Sequence, residues 1–224
     1  MLHGRLEEAL EITDAASRAL EGLTSASDQL QQQAFAIVLL VRLGRVDEAR
    51  ARLVGMQEAA RRDGSDRAML QAAITVVTFE VIMGDGQAAL SILDTLPLAL
   101  RDGTLPGIPP QIHAWMHARH AQALVLADRF DEARDEVRVG IELAIGSGDQ
   151  PIMADAALAA AELFAATDRP DDARHALALA AVLRGRADET DPVVQRVRAK
   201  IGTDAGPDAS ASGPADLADL AALL

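Results

Sequence analysis

One short signature recurs five times along the chain at nearly constant spacing. Its form is Gly/Asp-Arg-x-Asp/Glu-Asp/Glu-Ala. It reads GRLEEA at residues 4–9, GRVDEA at 44–49, DRFDEA at 128–133 and DRPDDA at 168–173, with a degenerate GDGQAA at 84–89. The terminal alanines are residues 9, 49, 89, 133 and 173, so the steps are 40, 40, 44 and 40. A period of this size means a stack of like supersecondary units, because one unit cannot bury its apolar face alone. Each copy reads as a tight turn into a helix. Gly or Asp supports the left-handed conformation that ends one helix, and the acidic pair sits at the positive end of the next. The alanine is small where two helices must cross. Leu53, Leu93, Val137 and Leu177 follow four residues after the later alanines, on the same helical face.

Apolar stretches precede the turns at 34–43, 72–83, 118–127 and 154–166, so each repeat is helix, turn, helix. Polar linkers separate the repeats at 24–28, 62–66, 102–110 and 146–151, and the third carries the four extra residues of the 44-residue step. No useful strand-like alternation occurs, which makes the chain all-α. Composition agrees. Half of the 224 residues are apolar and a quarter charged, too apolar for disorder and too charged for a membrane protein. No apolar run reaches the ~18 residues a membrane helix needs, and the acidic, amphipathic N-terminus does not read as a signal peptide. A cytoplasmic protein is expected. Without cysteine there is no disulfide framework and no thiolate metal site. The net charge of −13 argues against gripping phosphate backbones, so neither a nucleic acid nor a membrane is an expected partner.

The run LGRVDEARARL at residues 43–53 resembles tetratricopeptide repeats, in which the same pattern joins helix A to helix B. The likeness spans residues 1 to about 183, with a period longer than the usual 34 and most aromatic consensus positions lost. Long, alanine-rich repeats of this kind are similar to the superhelical arrays of large bacterial transcription regulators, the MalT-like LuxR and the AfsR-like SARP activators. LALAAVLRGRADETDPVVQRVRAKIG at 177–202 is similar to how such arrays finish. The resemblance implies a right-handed superhelical solenoid over residues 1–202, with turns near 4, 44, 84, 128 and 168 and a closing helix at 190–202. Residues 203–214 read as a flexible linker. Residues 215–224 read as a short amphipathic helix that docks in cis or in trans or stays disordered. The signature at Gly4 has no helix A ahead of it. Either the chain is a piece of a larger regulator, or its first helix is a cap or a dimer contact.

The same resemblance puts helix A on the concave wall. That gives candidate partner-binding residues Gln31, Val38 and Arg42, then Gln71 and Thr78, then Trp115 and Gln122, then Glu162, on a surface otherwise made by Ala34, Val41, Ile74, Val81, Ile82, Ala118, Val125, Leu126, Ala154, Ala157, Ala165 and Ala166. The alternative is that these positions pack against neighbouring helices. The implied function is a non-enzymatic binding or regulatory module for a partner helix or a small effector, with homodimerisation through the terminal helices as a further possibility. A free-standing scaffold or chaperone-like adaptor is the second reading, and neither needs a cofactor. A remote third is a metal-dependent enzyme using His113, His117 and His120, which share a helical face. The sequence supplies no carboxylate beside them, so packing histidines are expected and no metal.

Overall fold

The computed structural model describes residues 2–20, 26–96, 109–202 and 216–224. Among them are eleven α-helices and no strand: α1 Leu2–Ala19, α2 Ala26–Arg42, α3 Val46–Asp63, α4 Asp66–Met83, α5 Gly86–Thr95, α6 Pro110–Leu126, α7 Phe130–Ser147, α8 Gln150–Ala166, α9 Pro170–Leu183, α10 Pro192–Ile201 and α11 Leu217–Ala221. None of these helices is long and apolar enough to cross a membrane. The chain divides into two compact units, Met1–Ile82 and Met83–Leu224.

The repeated turn has one chemistry. Gly44, Gly84, Asp128 and Asp168 all take positive φ, at 75°, 84°, 58° and 58°. At the end of α2, the Gly44 N–H donates to the Val41 carbonyl and the Arg45 N–H to the Leu40 carbonyl, both at 2.9 Å. At the end of α6, Asp128 donates to Val125 at 3.1 Å and Arg129 to Leu124 at 2.9 Å. These paired bonds satisfy carbonyls that a helix end otherwise leaves open. The arginine then reaches forward. Arg45 forks onto Glu48 at 2.6 and 2.7 Å, and Arg129 onto Glu132 at 2.7 and 2.5 Å. Arg169 donates to Asp172 at 2.7 Å, with its guanidinium 4.4 Å from the centroid of the Phe164 ring. The alanine that closes each signature is fully buried at 49, 89, 133 and 173.

In the first unit α2 packs against α1 and α3. Leu6 and Leu10 of α1, Leu30, Ile37 and Leu40 of α2, and Leu53 and Met56 of α3 are buried. Two ion pairs tie α1 to α3 and the turn before it: Arg52 holds both oxygens of Asp14 at 2.5 and 2.8 Å, and Arg45, just ahead of α3, reaches Glu7 at 3.3 Å. In the second unit α8 is central and touches α6, α7, α9, α10 and α11. Its sequence explains that position. Every residue from Ala156 to Ala165 is buried, and most are alanine, so helix axes approach closely on all sides.

Two expectations need correction. The turn expected near residue 4 is not a turn: Gly4 lies inside α1, which is helical from Leu2. The signature here merely opens a helix. Leu177 is half-buried, because α9 turns Ala173, Ala176, Leu179 and Ala180 inward instead. The closing helix is α10. The expected linker at 203–214 lies outside the described residues. The C-terminal helix docks in cis on α7 and α8, with Leu217 and Leu220 buried, and the Leu223 carbonyl accepts from Arg169 at 2.9 Å.

Candidate functional site

The residues expected on a concave wall divide by unit. In the first, Gln31 is exposed, Val38, Arg42 and Gln71 are half-buried, and Thr78 is buried. The Thr78 hydroxyl donates to the Ile74 carbonyl of its own helix at 2.9 Å, so it is already satisfied. None of these five lines the cleft of about 460 Å³ in that unit, which is walled by Asp14, Ser17, Arg18, Gln33, Arg52 and Arg62, among others.

In the second unit only Glu162 of the expected residues lines a cleft, and Trp115 and Gln122 do not. A cleft of about 480 Å³ is lined by Val125 and Leu126 of α6, Asp128 of the following turn, Glu162, Ala165 and Ala166 of α8, and Arg196, Val197, Ala199 and Lys200 of α10. Its α6 and α8 walls are the surface that the repeat mapping picked out. The contribution of α10 was not foreseen, because that helix lies outside the repeats.

The floor of the cleft is polar. Glu162 is 5% exposed. Its Oε1 accepts from Arg196 Nε at 2.9 Å, and Arg196 Nη2 lies 2.8 Å from the same oxygen. Its Oε2 is sealed from solvent, and the Gln122 side chain hydrogen-bonds the carboxylate. Burial pushes the Glu162 carboxyl above the usual range, although Arg196, Arg119 and Gln122 all pull the other way. Behind the cleft, Gln122 is fully buried; its Oε1 accepts from Arg119 Nη1 at 2.6 Å, and its side chain hydrogen-bonds the Glu162 carboxylate.

An ion-pair chain braces this floor. Arg119 Nη2 is 3.3 Å from Asp155 Oδ2, Arg184 donates to the other Asp155 oxygen at 2.7 Å, and Arg184 also donates to Asp191 at 2.9 Å. It links α6, α8 and the start of α10. Trp115 is half-buried, with the Arg119 guanidinium 5.4 Å from its ring centroid, so its face is stacked on the same network rather than free.

The three histidines have a different fate. His113 is buried, and His117 and His120 meet a carboxylate the sequence reading missed. Glu136 of α7 sits between them, with Oε2 2.6 Å from His117 Nδ1 and Oε1 3.2 Å from His120 Nδ1. Burial works against the Glu136 charge, yet the hydrogen bonds from both imidazoles outweigh it and draw its pKa down to about 2. The signal was present in the sequence: His120 and Glu136 stand eight residues on either side of Asp128, so a helical hairpin turning there brings them face to face. Among the described residues no group of three or more His, Asp or Glu side chains could hold a metal ion. The imidazoles here clamp α6 to α7.

Comparison with protein-family models, with curated proteins and with solved structures finds no match to this chain. Its function therefore has to be read from the cleft.

Proposed function

We propose that the chain is a tetratricopeptide-like recognition module, the sensor region of a bacterial transcription regulator, and that it takes a small effector in the α6/α8/α10 cleft. The observation that carries this reading is a cleft of about 480 Å³ whose largely apolar lining includes the buried Glu162 and its partner Arg196. That volume is in the range of small-molecule sites, and apolar walls with a few convergent polar groups are their usual make-up. It favours a small effector over a partner helix, which needs a longer groove. The cleft is walled by a repeat helix pair on one side and by α10 on the other. A ligand there touches both, and one that prefers one arrangement of α10 shifts the population toward it. With a charge of −13 the DNA contact of such a regulator belongs to another domain.

The test is a fragment library titrated onto the full chain, read by the methyl resonances of Val125, Leu126, Ala165 and Val197. Ligands that move these resonances and lose affinity in Arg196→Met support the reading. Hits that scatter over the surface, or a library that leaves these methyls still, would overturn it. Saturable DNA binding near 150 mM salt would refute the charge argument.

A further inference from the structure

We infer that the first unit carries a site for a compact polyanion, a small molecule with two or more negative charges on phosphate or carboxylate oxygens, in the cleft of about 460 Å³ between α1 and α3. It is independent of the α6/α8/α10 cleft. The ion pairs Arg52–Asp14 and Arg45–Glu7 each join residues 38 apart. The two helices therefore run side by side in one direction, and the same offset sets Arg18 of α1 level with Met56 of α3. On α3, Arg52, Gly55, Ala59 and Arg62 follow at helical spacing and form one wall of the cleft. Arg52 and Arg62 stand roughly 15 Å apart along that wall. Arg18 lines the other side, at a level between them.

The lining holds three guanidinium groups against one carboxylate, in a chain whose net charge is −13. Asp14 is spent on Arg52, which still keeps its Nε–H and its outer N–H groups for another acceptor. Arg18 and Arg62 make no ion pair among the described residues, and Arg62 gives only its Nε–H to the Glu58 carbonyl at 3.4 Å. The Asp14 carboxyl lies below its ordinary range, first through the Arg52 hydrogen bonds, and Arg18 adds to the same field. Donors and positive charge thus exceed acceptors, which suits phosphate or carboxylate oxygens and repels a cation. A nucleic acid would meet the charge of the whole chain, whereas a small anion feels mainly the groups within ~8 Å. Gly55 keeps the floor open. Glycine weakens a helix interior, so it needs a reason. Gly86 and Gly140 have one, with neighbours 2.5 and 3.3 Å from where a Cβ would stand. At Gly55 a Cβ would meet nothing within 4 Å, so no packing contact requires the glycine. What its missing side chain leaves is space beside Arg18.

The test titrates pyrophosphate, tricarballylate and acetate onto the full chain at neutral pH and about 150 mM sodium chloride. The readout is the Gly55 amide, the Ala59 methyl and the Nε–H resonances of Arg18 and Arg62. One of the two polyanions is expected to saturate all four together, and acetate to bind about tenfold more weakly for want of a second charge. Tighter binding of pyrophosphate assigns the site to phosphates, and tighter binding of tricarballylate to polycarboxylates. Arg18→Gln and Arg62→Gln should each weaken that binding about fivefold, the upper value of an exposed charge pair, at an unchanged melting temperature. Gly55→Leu should fill the floor and abolish the titration, while the melting temperature holds or rises because leucine is the better helix former. Where that variant does not fold, the two arginine variants decide alone. Unmoved resonances, arginine variants that bind as tightly as the unaltered chain, or binding that survives in folded Gly55→Leu would overturn the site. So would equal shifts at Arg67, an exposed arginine outside the cleft, since they mark an ion atmosphere only.

Discussion

The starts of α5 and α7 occupy equivalent places in the repeat and are built from different parts. At α7, the Arg129 fork onto Glu132 and the first-turn acids Asp131 and Glu132 dress the helix end, and Ala133 is fully buried. At α5 there is no arginine and no first-turn acid. Asp85 caps the helix instead, its carboxylate accepting from the Ala88 N–H at 2.9 Å, and Ala89 is fully buried. What survives in both is the left-handed residue and the buried alanine. The solvent-facing charge pattern is therefore decoration, and the turn and the close crossing are what the repeat preserves. The α5 copy adds a constraint of its own. A Cβ on Gly86 would lie 2.5 Å from the Ala123 carbonyl oxygen and 2.6 Å from the Leu126 Cβ, so α5 abuts the last turn of α6 with no room for a side chain.

The largest break in this comparison is accordingly Gly86→Ala. The atoms it strikes belong to or are anchored on helix backbone and cannot swing aside. A cost at the top of the ~1–3 kcal/mol range for overpacking is expected, or about 6–12 °C in melting temperature. An unchanged melting temperature would mean that α5 and α6 do not meet as described.

That contact was not legible in the sequence, for a physical reason. Turn positions and buried alanines recur because every repeat has to make them, so self-similarity exposes them. Gly86 answers to Ala123 and Leu126, which no periodicity connects to it. Glu136 is hidden for a related reason: the spacing of the histidines describes their own helix, and their carboxylate arrives from the next one. The cleft was half legible. Its α6 and α8 walls followed from the repeat register, whereas Arg196 and Lys200 come from α10, where the register has ended. Gly4 misled in the other direction, since a signature that marks a turn between two helices marks nothing when it falls inside one.

The second test sets the polar clamp of α6 and α7 against the close contact of α5 and α6. Glu136 is held at about 2 against an ordinary 4.5, so the native state binds its proton more weakly than the unfolded chain. A depressed carboxyl contributes stability that is full above about pH 4.5 and is lost as pH falls toward 2. The shift corresponds to at most about 3 kcal/mol, less whatever solvent screening removes at a side chain 24% exposed. Acidification should therefore raise hydrogen exchange first in α6 and α7. In Glu136→Gln that pH-dependent increment should vanish while the background from other carboxylates remains. Identical acid profiles for the two proteins would remove the clamp.

Asp85→Ala is the third in size. Removing a side-chain cap costs ~1 kcal/mol, and α5 has no first-turn acid to fall back on. Arg129→Ala at the start of α7 should leave the melting temperature unchanged, because that fork is exposed and water competes for both partners. Equal losses at the two helix starts would contradict the view that the charges there are decoration.

The smallest effect is the most direct test of what the repeat preserves. Gly84 and Asp128 hold the same left-handed place, at φ 84° and 58°. Space is not limiting at Gly84, where a Cβ would meet nothing within 4 Å. Only the intrinsic crowding of Cβ against the backbone opposes a side chain there, so Gly84→Ala should cost ~1 kcal/mol. Asp128→Gly removes the same crowding but frees the unfolded chain, which returns ~0.5–1 kcal/mol. Aspartate also tolerates this conformation better than most residues, so little crowding is left to relieve. The two terms nearly cancel, and the midpoint of denaturant unfolding should move by less than ~0.5 kcal/mol in either direction. A large loss in Asp128→Gly would show that the Asp128 side chain is itself needed, as a contact or as part of the cleft wall it lines, and the equivalence of the two turns would fail.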